Sequence, residues 1–435
     1  MVSTENANSE FNGFLAGNGL DVSKDPGIAE SMGIKANHYY ARPSQLYSLK
    51  EIAGRENLDF VCCLDSLLET KFYPVLLKEW AYALKKGGHI AVKFREKNNL
   101  LLNQLKMDVA LFFRHDLKLV FRDKTENSEY SYVWEKTRAN PDKDEDARKW
   151  TFGIVTGGTR NEWVEQMIQS IIKQKIPEFE IIVVGKYFDR EEPFVKYVPV
   201  EDHLPRLTRR KNEICRHAKY ENIAVLHDRV LLEDGWFEGM KRFGNCWDWI
   251  GCAVEHNGSR SYDWFSTGYP QYLGEFDRNR GALLYDDWDR WCVTNAGIFI
   301  IKKRVWKQAE WNELDHYPGN DDMIFSTDLA NAGFFPRFNP HSKCEALSFH
   351  AIDAMYHEPN DRKLGKLTGP LPEVLYQKAN YAANDLFVKS ETFRKVQKSA
   401  AYQKLTETIR KARKKVLGKR VENKSWSKVN KVDVI

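Results

Sequence analysis

The sequence lacks the long hydrophobic runs of a membrane protein, since no stretch approaches the roughly 18 consecutive apolar residues of a spanning helix. Its first residues, Met1 to Glu10, are polar and lack the apolar core of a signal peptide. Cysteine is sparse, with seven residues at spacings that suit no disulfide framework. We therefore expect a protein of the reducing cytoplasm, free in solution or at a membrane surface.

A strong excess of one charge is also missing. The net charge is +5 over 435 residues, and this mild balance predicts no nucleic-acid partner. The stretch 364–435 differs, since it has the pattern of a helical, basic extension, and Arg410–Arg420 carries no acidic side chain. Such a cluster is usually solvated, and the alternative is peripheral contact with an anionic membrane.

Residues 1–138 alternate between strand and helix patterns. Apolar spacing predicts a strand over 58–64, a helix over 72–84 and another strand over 89–94, with Lys85–Gly88 as a turn. Strand, helix and strand in this order predict a parallel, doubly wound α/β unit.

This first unit resembles a class I methyltransferase that uses S-adenosylmethionine. The likeness lies in G-L-D-V at Gly19–Val22, D-F-V-C-C-L-D-S-L-L-E-T at Asp59–Thr70 and L-K-K-G-G-H-I-A-V at Leu84–Val92. The resemblance implies a glycine-rich loop after the first strand, where the backbone approaches the cofactor. Here Lys24 and Pro26 occupy that loop and hinder a close approach. We therefore expect a degenerate domain and do not expect S-adenosylmethionine as a cofactor.

Residues 139–149 are dense in charge and predict a linker to a second α/β unit over 150–363. The linker contains literal D-x-D triplets over 142–146, a pattern that is common by chance. In the second unit we predict strands over 151–156, 179–184, 222–226 and 297–302, and helices over 162–174, 207–217 and from about 319–323 to 331.

This order resembles the GT-A fold of nucleotide-sugar glycosyltransferases, in particular the large inverting family with one Rossmann-like domain. The likeness covers about 151–350, and its motifs are a small-residue turn at Gly157–Arg160, E-I-I-V-V at Glu180–Val184, R-R-K-N before a helix, a strand that ends at the D-x-D position, G-I-F-I-I-K at Gly297–Lys302 and the acidic pair Asp321-Asp322. The resemblance implies transfer of a sugar from a nucleoside-diphosphate donor, of UDP or GDP type, to a glycan or lipid-linked acceptor.

The donor site is expected where the strand over 222–226 ends in a polar triplet, because ligands in open α/β sheets lie outside the carboxyl ends of strands. His227, Asp228 and Arg229 stand at the D-x-D position. Arg229 replaces the second carboxylate and cannot bind a metal, but it can pair with phosphate. Either Arg229 takes the place of a Mn²⁺ or Mg²⁺ ion, or Asp228 holds the ion with His350, which we regard as the weaker alternative.

The resemblance implies further candidate groups around this position. Arg209, Arg210 and Lys211 form a charge run that is usually solvated, yet at least one of them would suit a diphosphate. Thr156 and Gly157 are expected to border the nucleotide base.

The resemblance makes the second member of the acidic pair the base that takes the acceptor proton, which places it at Asp322 with Asp321 as the alternative. Acidic side chains at a helix start are also favoured by the helix dipole alone. A second D-x-D, at Asp287–Asp289, ranks below the first. Among tryptophans 236, 247, 249, 264, 288 and 291, two or three are expected to line a sugar-binding cleft.

Three further functions remain as alternatives. A sugar nucleotidyltransferase would explain the Gly157–Arg160 loop, but its usual Pro-Lys pair is missing before the helix. A methyltransferase with an appended sugar-binding domain and a non-catalytic scaffold are the others.

Overall fold

The computed structural model describes residues 4–95, 99–125, 128–141, 147–186, 192–200, 207–256, 259–260, 263–266, 283–294, 297–313, 321–334 and 336–348. We call the described residues up to 141 the N-terminal half and those from 147 the C-terminal half. The D-x-D triplets of 142–146, His350 and the basic extension lie outside the described residues.

The N-terminal half is a helix-flanked sheet. Its elements are α1 (Thr4–Gly13), β1 (Gly19–Asp21), α2 (Pro26–Ser31), β2 (Asn37–His38), β3 (Leu58–Cys63), α3 (Tyr73–Ala83), β4 (Leu84–Arg95), α4 (Asn99–Phe112), β5 (Leu117–Lys124) and β6 (Glu129–Lys136). The strand order is β2-β1-β3-β4-β6-β5, with β2, β1, β3 and β4 parallel and β6 and β5 antiparallel. The predicted strand at β3 and helix at α3 are confirmed.

The predicted turn at Lys85–Gly88 is wrong. This stretch lies within β4, and the pairing with β3 shifts there from Leu58 opposite Leu84 to Phe60 opposite His89. The shift places extra residues on one strand, as in a β-bulge. Gly87 has a φ of +84°, a conformation that suits glycine, so the glycines serve a bulge and not a chain reversal.

The C-terminal half contains a larger mixed sheet. Its elements are β7 (Lys149–Thr156), α5 (Asn161–Lys173), β8 (Glu178–Gly185), β9 (Val195–Pro199), α6 (Leu207–His217), β10 (Asn222–His227), β11 (Val230–Leu232), α7 (Trp236–Phe243), β12 (Trp249–His256), β13 (Ser259–Arg260), β14 (Trp264–Ser266), β15 (Cys292–Thr294), β16 (Ile298–Lys302), α8 (Lys303–Trp306), α9 (Asp321–Asn331) and β17 (Pro336–Ala346). The main order is β11-β17-β12-β16-β10-β7-β8-β9.

The predicted strands and helices of this half are confirmed. Where the sequence predicted both limits of an element, they agree with the structure to within two residues, and α6 has the predicted limits. Strand β10 lies at the centre, parallel to β7 on one side and antiparallel to β16 on the other. Both halves are therefore mixed α/β structures. No helix among the described residues is long and apolar enough to cross a membrane.

The tryptophans mostly build the core. Five of the six considered for a sugar-binding cleft are at most 2% exposed, namely tryptophans 236, 247, 249, 264 and 288. The expectation that two or three of the six line a cleft is wrong for these five, because they pack in the buried hydrophobic clusters. Trp291 alone among the six is half-buried.

The two halves share one hydrophobic core. A single buried cluster combines side chains of the N-terminal half, such as Trp80 and Phe113, with Trp264, Trp288 and Phe338 of the C-terminal half.

A buried ion pair also crosses the boundary. Arg337 pairs with Glu79, and both side chains are at most 4% exposed. The same guanidinium donates to the backbone oxygens of Gln45 at 2.8 Å and Tyr47 at 3.1 Å. The contacts join β17 to α3 and to the segment between β2 and β3.

Candidate functional site

The carboxyl ends of β7 and β10 meet at one edge of the central sheet. The strands are parallel, with His227 opposite Val155, and the backbone N–H of Asp228 donates to the carbonyl oxygen of Val155 at 3.1 Å. Thr156 and Asp228 therefore lie side by side just beyond the strands. This is the place where an open α/β sheet receives a ligand.

Asp228 is held by two partners. Its carboxylate accepts hydrogen bonds from the Arg160 guanidinium at 2.9 Å and from the Thr156 hydroxyl at 3.2 Å. The Asp228 side chain is 11% exposed, whereas Arg160 is 32% exposed and its guanidinium lies 5.1 Å from the centre of the Trp163 ring. A charge-assisted pair in such a setting fixes both side chains.

Sequence reasoning did not assign a role to Arg160. The residue ends the small-residue turn after β7 and directly precedes α5, at the same sheet edge as Asp228. Its position after a Gly-Gly pair at a strand end was the signal that could have identified it.

The charge run at the start of α6 is largely buried. Arg210, at 2% exposure, donates to the backbone oxygen of Thr156 at 3.1 Å. The Lys211 side chain is fully buried, and its ammonium lies 2.5 Å from the Asp321 carboxylate. Arg209 is half-buried. The three cations are thus not a solvated helix face.

The acidic pair begins α9, as the sequence predicts. Asp321 pairs with Lys211, while Asp322 has no ion pair among the described residues and accepts the backbone N–H of Met323 at 3.0 Å. Burial of its carboxyl group and the nearby charge of Asp321 raise the pKa of Asp322 to about 6, against the opposing effect of Lys211. A carboxyl group with this pKa is ionised at neutral pH and still accepts a proton readily, as a general base must.

These contacts link the two candidate regions. Arg210 contacts the strand end that carries the donor-side groups, and its neighbour Lys211 contacts the acidic pair. The donor-side and acceptor-side groups are therefore connected through the first turn of one helix.

Asp228 is the candidate metal ligand that the described residues include. Both oxygens of Asp228 already accept hydrogen bonds, and Arg229 stands where a second carboxylate would be needed. Within the ranges that the structure describes, no group of three or more His, Cys, Asp or Glu side chains is placed to hold a metal ion. His350, the other candidate ligand, lies outside those ranges.

Comparison with known proteins gives distant likenesses of fold. A scan of protein-family models and a search of curated proteins gave no match. Among solved structures, S. aureus TarS 1-349 is 13% identical with a TM-score of 0.32, and the alignment covers 45% of this chain and 60% of that one. GalNAc-T7 with UDP, GalNAc and Mn2+ is 11% identical with a TM-score of 0.35, over 53% of this chain and 47% of that one. The alignments thus span less than two thirds of these structures.

The other predicted donor-side residues flank Asp228. The backbone N–H of His227, which is half-buried, donates to Gly297 at 3.0 Å, and the carbonyl of Arg229 accepts from Leu347 at 2.7 Å. Gly157 is buried at the start of the turn. The roles predicted for these residues in nucleotide-sugar binding remain predictions.

The second D-x-D has a structural role. Asp287 is 5% exposed and pairs with Lys71 of the N-terminal half, and Trp288 between the carboxylates is core. Asp289 accepts the backbone N–H of Trp291 at 2.9 Å. These contacts agree with its lower rank as a ligand site.

Proposed function

We propose that this chain is a glycosyltransferase that moves a sugar from a nucleoside-diphosphate donor, of UDP or GDP type, to a hydroxyl group of a glycan or lipid-linked acceptor, with inversion. The observation that supports the proposal is a polar network that begins at Arg160 and Asp228 and continues through Thr156 to Arg210. From the neighbouring Lys211 it reaches Asp321 and the adjacent Asp322. Glycosyl transfer needs a cationic environment for the leaving diphosphate and a base for the hydroxyl, and the network offers both.

On the donor side, we assign Arg160 and Arg229 to the diphosphate. Arg160 is held by Asp228 and is partly exposed, so one edge of its guanidinium can pair with phosphate oxygens. A fixed cation needs no reorganisation as the negative charge of the leaving group grows.

On the acceptor side, we assign proton removal to Asp322. Lys211 neutralises Asp321 in a buried ion pair, which leaves Asp322 as the member of the pair that accepts a proton. Inversion follows if Asp322 deprotonates the hydroxyl and the attack occurs in line with the leaving diphosphate.

Calorimetry with UDP and GDP, followed by transfer assays with a panel of the corresponding nucleotide-sugars, tests the proposal. We expect one diphosphate to bind with micromolar affinity, about −8 kcal/mol, and one of its sugars to be consumed when an acceptor glycan is added. Absence of binding by both diphosphates would contradict the proposed function.

The role of Arg229 has its own test. Arg229→Ala should lower turnover strongly if its guanidinium supports the leaving diphosphate, because charge stabilisation of this kind is worth about a hundredfold. Arg229→Asp places a second carboxylate beside Asp228 and should introduce a response to added Mn²⁺. Full activity of Arg229→Ala would exclude the assigned role.

A further inference from the structure

The helix that carries the acidic pair is held at its carboxyl-terminal end by the N-terminal half. The Arg114 guanidinium donates to the backbone oxygen of Ala332, just after α9, at 2.9 Å. The next residue, Gly333, packs so closely on the backbone of Leu111 that an added Cβ would lie 2.6 Å from its carbonyl oxygen. Gly333 also has a φ of +95°, so a larger residue would be both strained and obstructed.

The amino-terminal end of α9 is supported indirectly, through the segment 283–294. Its Arg290 pairs at 2.8 Å with Asp108 of α4, which is 1% exposed and also bonds to Tyr73. Asp287 of the same segment pairs with Lys71. The N-terminal half therefore contacts the segment 283–294 at more than one residue.

The segment 283–294 ends in β15, which packs against the start of α9. Val293 of β15 packs in a small buried cluster with Phe265 and Met323, and Met323 directly follows Asp322. A shift of β15 would move Met323 and with it the carboxylate beside it. Contacts at both ends of α9 thus lead back to the N-terminal half.

We propose that the N-terminal half is a positioning element of the transferase site, with Arg114 and Arg290 as positioning residues that seat α9 and so place Asp322. This inference rests on the proposed function. It adds a role for the half of the chain that we expect, from its sequence, to be a degenerate methyltransferase-like domain. The two residues act through α9, and among the described hydrogen bonds and ion pairs neither contacts Arg160 or Asp228.

The expected effect follows from how sharply proton transfer depends on geometry. A misplacement of about 1 Å can lower the rate by up to a hundredfold, so a smaller displacement of α9 should lower kcat by roughly tenfold. More water would also reach the side chain of Asp322, which is half-buried. Its raised pKa would then fall towards the usual value, and the acidic limb of the pH–rate profile would move to lower pH.

Arg114→Met and Arg290→Gln test the proposal in the full-length chain. Arg290→Gln leaves Asp108 with hydrogen bonds from Tyr73 and Gln104, and Arg114 is exposed, so both variants should fold. We expect kcat to fall roughly tenfold, with the acidic limb moved and the dissociation constant of UDP unchanged. Arg95→Gln, which removes an exposed ion pair with Glu129 of the same half, is the matched control and should retain wild-type values.

A double-mutant cycle with Asp322→Asn distinguishes positioning from general destabilisation. If Arg114 and Arg290 act through Asp322, their replacement should have no further effect on kcat once Asp322 is asparagine. Additive losses, or unchanged kcat in both single variants, would overturn the proposal while UDP still binds. If the wild type binds neither UDP nor GDP, the proposed function has failed instead.

Discussion

Replacement of Asp322 by asparagine tests the proposed base through stability as well as turnover. The pKa of Asp322 lies at about 6, above its usual value of 3.8, because burial and Asp321 disfavour the charged form. A group whose pKa is raised by folding stabilises the native state below its unfolded pKa, and this stabilisation is lost as pH rises through the folded pKa. Ionised Asp322 therefore costs the native state about 3 kcal/mol well above pH 6, at about 1.4 kcal/mol per pKa unit.

Asp322→Asn keeps the shape of the side chain and removes its charge. We expect the variant to exceed the wild type in free energy of unfolding by up to about 3 kcal/mol at pH 8 and by less than about 1 kcal/mol at pH 4. Turnover should fall by about a hundredfold or more, because the amide cannot accept the hydroxyl proton. Urea denaturation at both pH values and steady-state kinetics measure the two effects.

Two controls separate the acidic pair from the rest of the helix. Asn331→Gln changes an exposed side chain on α9 and should alter neither stability nor turnover. Asp321→Asn should be milder in turnover than Asp322→Asn and should act more on acceptor affinity. An equal stability gain at pH 4 and pH 8 would refute the electrostatic reasoning, and an inactive Asp321→Asn beside an active Asp322→Asn would reverse the assignment of the base.

The remaining predictions concern the donor side and the N-terminal half. Arg160→Met should weaken UDP binding by roughly tenfold in calorimetry, and EDTA should leave wild-type turnover unchanged, whereas loss of activity in EDTA would show that a metal is required. S-adenosylmethionine should not bind, because Asp65 already accepts two backbone N–H groups of the loop after β1, at 3.0 and 2.9 Å; micromolar binding in calorimetry would contradict this. Arg337→Met should lower the free energy of unfolding by about 3–5 kcal/mol in urea denaturation, because it leaves Glu79 charged and buried without its partner, and an unchanged midpoint would show that the pair contributes little.

Much of the C-terminal half could be predicted from local patterns. The apolar run of β10 and the polar residues that end it locate the sheet edge, and the spacing of α6 and α9 follows from their apolar periodicity and their terminal residues. The acidic pair at the start of α9 could be predicted for the same reason. These features depend on neighbours within a few residues, which a sequence displays directly.

The rest depends on contacts between residues far apart in the chain. Arg160 and Asp228 are 68 positions apart, and Arg337 and Glu79 are 258 apart. No local pattern states which cation reaches which carboxylate. The prediction of a tryptophan-lined cleft failed for the same reason. Whether an indole packs in a core or lines a cleft depends on the elements on both of its sides.

The first turn of α6 shows why this long-range information matters for function. A run of three cations at a helix start is usually solvated, and Arg209 is half-buried here, but Arg210 and Lys211 turn inward to different partners. A buried ammonium without a partner would be costly, so Lys211 requires an ionised Asp321 and holds it in place. Burial of the Asp322 carboxyl group is the largest cause of its raised pKa, the charge of Asp321 adds to it, and Lys211 opposes it. The charge run therefore reaches the acidic pair through Lys211, and the position of Asp321 beside Asp322 depends on a lysine more than 100 residues away.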